Sequence, residues 1–478
     1  MKRRSMLAGL AAAAAVPAVG GCSAGSAKAS ASDGSAAAGS GHIVAATAIT
    51  EVFGNGQRLT AVALEYDAEI DRSDLSLSTY KVTDRTVTNV YANTAPAKAG
   101  HGTNGKYVVV ELSPADEAAA VYTDSFSSSQ KTSASGSASG GPSGPPASGG
   151  PSGPPPSGAA SGKRGGGNMS SGATLKKASA EVTQIASVTT TGGKNYASGA
   201  VVTTSKVDNL VVDDFRQLTY EDSATGKSLK YNLFVPKNYD SAKSYPMVLF
   251  MHDAGTVSSN PLITLTQGLG AVIWASPAEQ AKHECFVLAP QFTGEDEGSD
   301  GDTTYLKTIK GLVDAVSGEY SIDTDRLYTT GQSGGAMTSI ALDFTYPDLF
   351  AASFLVAGQW EDLDAVKPLA RQKIWAVVSQ GDETAYPGMT GVMDTIAKQG
   401  TEVSRAVWNG QLTPAGFAPY AARMRAKNTP VNFVALKKGT VVWPGLEESS
   451  VDNHICTWRA AYTIEGIRDW LFEQSRSS

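Results

Sequence analysis

The sequence predicts an α/β domain with a mostly parallel sheet, preceded by an all-β sandwich, and three observations carry the prediction. Short β-prone runs separated by turn residues fill the stretch from Ile43 to Leu112. From Asp214 onward, almost wholly apolar runs alternate with helical stretches, as expected of strands buried on both faces of a parallel sheet. Between a strand-like run and a helix-like run stands Gly331, Gln332, Ser333, Gly334, Gly335, the pattern of a sharp strand-to-helix turn that exposes a serine.

At the N-terminus, Met1 to Arg4 is a short basic region. Leu7 to Val19 is apolar but shorter than the roughly 20 residues a bilayer span needs, so residues 1–22 read as a signal peptide. Val19, Gly20, Gly21 and Cys22 resemble a bacterial lipobox, in which Cys22 becomes the lipidated first residue of the mature chain; an ordinary cleaved signal is the alternative. Arg3 and Arg4 suit the general or the twin-arginine export route equally. The expected location is extracellular, anchored to the outer face of the cell membrane. Residues 23–42, rich in Ala, Ser and Gly, form a flexible tether.

The β domain is expected over residues 43–213. Its candidate strands are Ile43 to Thr50, Leu59 to Tyr66, Leu75 to Val82, Thr86 to Tyr91 and Lys106 to Leu112, with Ala180 to Thr190 and Ala200 to Val212 following later. Residues 125–176 change composition to Ser, Gly, Pro and Ala, repeating GGPSGPP, and cannot bury enough apolar area to fold. Because β-like runs resume afterwards, this segment reads as an insertion between strands, a cost that grows slowly with loop length; an interdomain linker is the alternative.

The second domain, 214–478, has candidate strands at Leu229 to Val235, Met247 to Met251, Phe286 to Ala289, Arg326 to Thr330, Ala352 to Val356 and Ile374 to Val378. Helices are expected at Tyr305 to Tyr320, at Pro387 to Lys398 and from about Thr457 to Gln474. The net charge is −7, from 39 basic and 46 acidic residues. It comes without a large basic cluster, which argues against a nucleic-acid partner. No cysteine and histidine spacing suggests a metal, and nothing calls for a cofactor. Cys285 opens one apolar strand and Cys456 lies near the opposite sheet edge. A five-residue strand advances roughly 13 Å, beyond the about 7 Å allowed between bridged Cα atoms, so both thiols are expected to be free and buried.

The pentapeptide alone is a weak signal in a chain with 50 glycines, and Gly21, Cys22, Ser23, Ala24, Gly25 fits it too. That copy lacks a preceding strand. Ser333 has one in Arg326 to Thr330 and a breaker-free run in Ala336 to Phe344. A serine hydroxyl needs a base to remove its proton, and glycines two residues to either side let the backbone fold tightly. Of five histidines only His454 follows Ser333, so the serine, acid, histidine order of such sheets assigns it the base. Asp382, after the strand Ile374 to Val378 and the turn Ser379, Gln380, Gly381, is the best-placed acid; Glu383, Asp362 and Asp364 are fallbacks. The oxyanion donors expected are the backbone N–H of Gly334 and that of Asp253 or Ala254, in the loop after Met247 to Met251. His252 is expected to be structural. Trp274, Gln291, Gln332, Gln359 and Trp360 are placed around the acyl or alcohol pocket by position alone.

Tyr231 to Pro236, the loop His252, Asp253, Ala254, Gly255, the run Val287 to Phe292, Ile322 to Ala336, and His454 followed by Trp458 resemble secreted esterases of the polyhydroxybutyrate-depolymerase and feruloyl-esterase type in the α/β-hydrolase superfamily. Ile43 to Val121 resembles the immunoglobulin-like N-terminal domain of some of these esterases. The resemblance implies an α/β hydrolase that acts on ester substrates, with polymer- and carbohydrate-linked esters among the expected ones, through an acyl-enzyme. Its loop usually reads His-Gly, so Asp253 departs from it, and a carboxylate there would oppose an oxyanion unless it points away. A serine peptidase of the prolyl oligopeptidase type would use the same triad, and a non-catalytic surface lipoprotein that binds a wall polymer is the third reading.

Overall fold

The computed structural model describes residues 41–123, 173–294, 303–443, 446 and 448–476. The expected signal peptide, Cys22, nearly all of the tether and residues 125–172 of the expected insertion lie outside the described residues.

The β domain contains β1 (Ile43–Phe53), β2 (Gly56–Ile70), β3 (Tyr80–Val82), β4 (Val87–Asn93), β5 (Gly105–Leu112), β6 (Tyr122–Thr123), β7 (Thr174–Leu175), β8 (Glu181–Gln184), β9 (Val188–Thr189), β10 (Asn195–Tyr196), β11 (Val201–Thr203) and β12 (Lys206–Asn209). One sheet runs β12-β1-β2-β5-β4 and faces a smaller one, β11-β8-β3. Alternation does the work: Val62, Leu64, Val108 and Val110 point into the shared core, where Tyr80, Val82, Val182 and Val202 meet them. The core contains one polar knot, in which the Tyr66 hydroxyl donates to Gln184 Oε1 at 2.9 Å and lies 2.7 Å from the Tyr80 hydroxyl. Burial with satisfied partners makes such a knot specific for one register.

Several expected boundaries shift. Residues 173–176, assigned to the insertion, include β7, which pairs with β6. Only Tyr80–Val82 of the expected strand Leu75 to Val82 pairs as a strand, because a turn closed by the Thr79 N–H donating to the Ser76 carbonyl at 3.0 Å interrupts the run. The runs Ala180 to Thr190 and Ala200 to Val212 each break into two short strands.

The second domain is built on β13 (Phe215–Asp222), β14 (Lys227–Phe234), β15 (Tyr245–Met251), β16 (Phe286–Gln291), β17 (Ile322–Gln332), β18 (Ala352–Val356), β19 (Ile374–Ser379), β20 (Val403–Trp408) and β21 (Val431–Leu436). They form one sheet in the order β13-β14-β16-β15-β17-β18-β19-β21-β20. Pairing is antiparallel at β13-β14 and β14-β16 and parallel from β16 to β20. Helices cover both faces, with Leu265, Trp274, Tyr462 and Trp470 in the core of one face and Leu306, Ile309, Leu312 and Val313 in that of another. The strands β13, β20 and β21 were not foreseen. The largely exposed middle of β13, buried only at its two ends, and the polar positions in β20 mark edge strands whose sequences lack a continuous apolar run.

The C-terminal helix expected from Thr457 to Gln474 is two helices, Ser450–Ala461 and Glu465–Phe472. Arg468 explains the break: its Nη1 donates to the Tyr462 carbonyl at 2.6 Å while its Nε donates to Glu279 at 2.8 Å, both side chains being buried. His454, expected just before the helix, therefore lies inside its first turns.

Asp343 sits in the helix Gly334–Thr345 at 1% exposure. Among the described residues neither of its oxygens has a hydrogen-bond partner at bonding distance. Burial pushes its carboxyl up to about 7, and the nearby Ser353 hydroxyl offsets little of that. A carboxyl raised in the folded state binds its proton more tightly there than in the unfolded chain. Its contribution to stability is therefore greatest below about pH 4 and declines as pH rises through about 7. Thermal unfolding between pH 5 and pH 8 should show a midpoint that falls with rising pH, and Asp343→Asn should flatten that slope.

Candidate active site

The turn after β17 is built by close approach. Ser333 has φ +52° and ψ −119°, outside the regions that side chains favour. A Cβ on Gly331 would lie 2.3 Å from the Gly335 carbonyl carbon, and one on Gly335 would lie 2.1 Å from the Met251 carbonyl oxygen. The turn thus packs directly against the end of β15, and the two glycines are steric requirements of the backbone. Strain of this kind costs about 1–3 kcal/mol and persists only where packing over-determines it. Gly334 is the first residue of the following helix, so its N–H has no carbonyl partner within that helix.

Three side chains from separate elements converge on this turn. His454 Nε2 lies 2.8 Å from Ser333 Oγ, and His454 Nδ1 lies 2.5 Å from Asp382 Oδ2. A carboxylate only accepts, so Nδ1 carries the proton and Nε2 is left to accept from the serine hydroxyl. The other carboxylate oxygen of Asp382 accepts the N–H groups of Thr384 at 3.1 Å and Ala385 at 2.9 Å, at the start of the helix Ala385–Lys398. Burial opposes the charge of Asp382, but the hydrogen bond and charge of His454 and these N–H groups outweigh it and hold the carboxyl below the usual range.

The histidine is fixed from its own helix. Ser449 caps Ser450–Ala461 by accepting the Asp452 N–H, and the Asp452 carboxylate in turn takes the Ser449 hydroxyl at 2.6 Å. Trp458, one helical turn beyond His454, meets the imidazole edge-on with ring centres 5.1 Å apart. Asn453 accepts the Ser379 hydroxyl at 2.9 Å, tying this helix to the turn that carries Asp382.

The loop after β15 is organised by a histidine with an assignable tautomer. The Phe292 N–H donates to His252 Nε2 at 2.9 Å, so that nitrogen is an acceptor, and Nδ1–H donates to the Asp253 carbonyl at 2.7 Å. The Thr256 hydroxyl donates to the same carbonyl at 2.9 Å. Carbonyl and N–H point oppositely across a trans peptide. With the Asp253 carbonyl drawn inward, the Ala254 N–H is presented on the other side. The Asp253 carboxylate accepts the Gly255 N–H at 2.9 Å through one oxygen and the Gln332 Nε2–H at 2.9 Å through the other. Burial pushes its carboxyl up, against the opposing hydrogen bond from Gln332 and the influence of His252.

The positions guessed for a pocket fare differently. Trp274 is fully buried, its indole N–H bonded to the Gly270 carbonyl and its ring edge-on to Phe472, so it belongs to the core. Gln291 is also buried and holds His252, Thr256 and Phe292 from behind the loop. Gln332 turns inward to Asp253 and Gln267. Trp360 packs on Phe344, ten residues beyond Gly334 in the helix after Ser333 and so about 15 Å along its axis. Gln359 is part-exposed and packs against Gly388. Sequence reasoning missed Gln267, and it missed Gly54, Tyr122 and Arg459, which line a small cavity with Asp253 and Trp458. No local pattern marks them, since the β domain meets the site only through folding. Cys285 and Cys456 are free and buried, and no cluster suited to a metal occurs among the described residues.

Fold and site define the class: an α/β-hydrolase domain behind an immunoglobulin-like β domain. Residues 45–197 match the family model described as the esterase Ig-like N-terminal domain. A solved structure titled a thermostable esterase matches over 90% of this chain and 100% of its own, with 25% identity and a TM-score of 0.68. Among curated relatives, acetylxylan esterase A of Aspergillus ficuum is 28% identical over 197 residues, 37% of this chain and 61% of that protein. Feruloyl esterase B of Talaromyces stipitatus is 29% identical over 140 residues, 27% of this chain and 36% of its own length. The chain thus spans less than two thirds of these curated relatives.

The close approach of Gly335 to Met251 gives a stability test. Gly335→Ala is expected to cost at least about 3 kcal/mol, the upper end for overpacking against backbone. Gly318→Ala, which meets open space in a helix, should gain roughly 0.5–1 kcal/mol. Denaturant midpoints of the two variants check both directions.

Proposed function

We propose that this chain is a serine carboxylesterase that hydrolyses its substrate through an acyl-enzyme on Ser333. The observation that carries the reading is the continuous relay from Asp382 through His454 to Ser333 at 2.5 and 2.8 Å. The names of the relatives, acetylxylan and feruloyl esterases, support an ester on a carbohydrate or polymer as the substrate class. Export and lipidation at Cys22 would hold the enzyme at the outer membrane face, where such polymers are met.

In this mechanism Ser333 Oγ attacks the ester carbonyl carbon while His454 Nε2 takes its proton. Asp382 keeps the imidazole in the acceptor tautomer and stabilises the imidazolium that forms. The oxyanion is met by the N–H of Gly334 and that of Ala254, each donor worth roughly 3 kcal/mol of barrier. Collapse breaks the bond to the alcohol oxygen, which leaves with the proton from His454. Water then attacks the acyl carbonyl with His454 again as base, and the carboxylic acid departs as Ser333 regains its proton. The Asp253 carboxylate, held against Gln332 and Gly255, stays clear of the developing charge.

Two substitutions test the assignment with short p-nitrophenyl esters. Ser333→Ala should leave a folded protein with essentially no turnover, a loss of roughly 10⁶-fold in kcat. Asp382→Asn should lose about 10⁴-fold, because the imidazole tautomer is no longer held. Lipidation at Cys22 is tested by membrane fractionation of the full chain, with Cys22→Ala expected to release the activity to the medium.

A further inference from the structure

Ordinary packing leaves the contact between the oxyanion loop and the residue before Ser333 unexplained. Asp253 is a carboxylate at 5% exposure and Gln332 an amide at 1%. Gln332 Nε2 donates both to Asp253 Oδ2 and to Gln267 Oε1, each at 2.9 Å. Its own oxygen is buried without a hydrogen-bond partner among the described residues. Gln267 in turn donates to the Thr264 carbonyl at 3.2 Å, and Thr264 is bonded to Gln291, which holds His252. A chain of polar contacts thus closes from the Ser333 turn through Asp253 and back to the scaffold under the loop.

Both features cost stability. Taking a carboxylate out of water is unfavourable, and an unpartnered buried amide oxygen costs about 1–3 kcal/mol. An apolar pair of similar shape would be cheaper. Stability therefore gives no reason for the arrangement, whereas geometry does. Gln332 is bonded to the residue whose carbonyl direction sets where the Ala254 N–H points, and it immediately precedes Ser333. Whatever fixes Gln332 to Asp253 fixes the distance between the two groups that must act together on one carbonyl.

We propose that Asp253 and Gln332, braced by Gln267, are positioning residues that clamp the oxyanion loop to the serine turn. The proposal rests on the esterase reading above. Neither side chain touches substrate; both act through the placement of Ser333 and the Ala254 N–H. Because the interaction serves the transition state, its loss lowers kcat and leaves substrate binding nearly intact. Because the clamp is costly, its loss does not lower stability in proportion.

The test is a double-mutant cycle on the full chain, with kcat, KM and the unfolding midpoint measured for Asp253→Ala, Gln332→Ala, the double variant and Asp253→Asn. Each alanine variant should lose ten- to a hundredfold in kcat with KM changed less than about threefold and the midpoint little altered. The double variant should be no slower than the slower single one, and Asp253→Asn, which keeps an acceptor for Gln332, should recover part of the rate. Wild-type kcat in either single variant, losses that multiply in the double variant, or rate losses matched by unfolding would overturn the clamp. Ser333→Ala in the same assay separates the two claims: turnover surviving there overturns the esterase reading itself, whereas its loss alongside unimpaired Asp253→Ala overturns only the clamp.

Discussion

The contact on which the site depends is between two pieces of backbone. Gly335 lies so near the Met251 carbonyl that no side chain fits between them, and Gly331 lies equally close to Gly335. This forces Ser333 to φ +52° and places the serine turn directly on the end of β15, from which the neighbouring loop departs. Strain at one residue is held by packing of the two strands beneath it, β15 and β17, which pair in parallel through Met251 and Gly331. The serine hydroxyl and the loop that would meet an oxyanion are thereby built from adjacent strand ends, as the rule for parallel α/β sheets leads one to expect.

The other two members of the relay come from farther away and need their own supports. Asp382 stands at the end of β19 and is secured by two N–H groups at a helix start, an arrangement in which helix polarity and charge agree. His454 depends on Asp382 for its proton position and on Trp458 and the capped helix for its orientation. His252 does a different job with the same side chain: its neutral ring, fixed by the Phe292 N–H, directs the Asp253 carbonyl inward. Two histidines therefore border one site: His454 bridges Asp382 and Ser333, and His252 is locked as a strut beneath the neighbouring loop.

Much of this was legible in the sequence because the responsible signals are local. The serine turn announces itself through glycine spacing between a strand and a helix, and His454 through being the only histidine after Ser333. The apolar runs of β15, β16, β18 and β19 mark strands buried on both faces. What was hidden depends on contacts between distant segments. The edge strands β13 and β20 carry mixed sequences because one side of each is exposed. The helix break at Tyr462–Ile464 follows from Arg468 reaching Glu279, nearly two hundred residues earlier. Trp274 resembled a pocket residue from its position but fills the core, and Gln332 faces inward because Asp253 and Gln267 wait there. Asp253 itself looked out of place in the sequence. In the structure its carboxylate accepts the Gly255 N–H and the Gln332 amide, so it is tied into the loop and to the residue before Ser333.

The central claim is that the relay makes Ser333 a nucleophile. It is tested most directly by mixing the intact protein with a p-nitrophenyl phosphonate, whose phosphorus the serine oxygen attacks with loss of p-nitrophenolate to leave a stable phosphonyl ester, and locating the added mass. The account predicts one adduct per chain, on the peptide that contains Ser333, with release of one equivalent of p-nitrophenol and strong slowing in Asp382→Asn. Absence of an adduct, or an adduct on another residue, would contradict it.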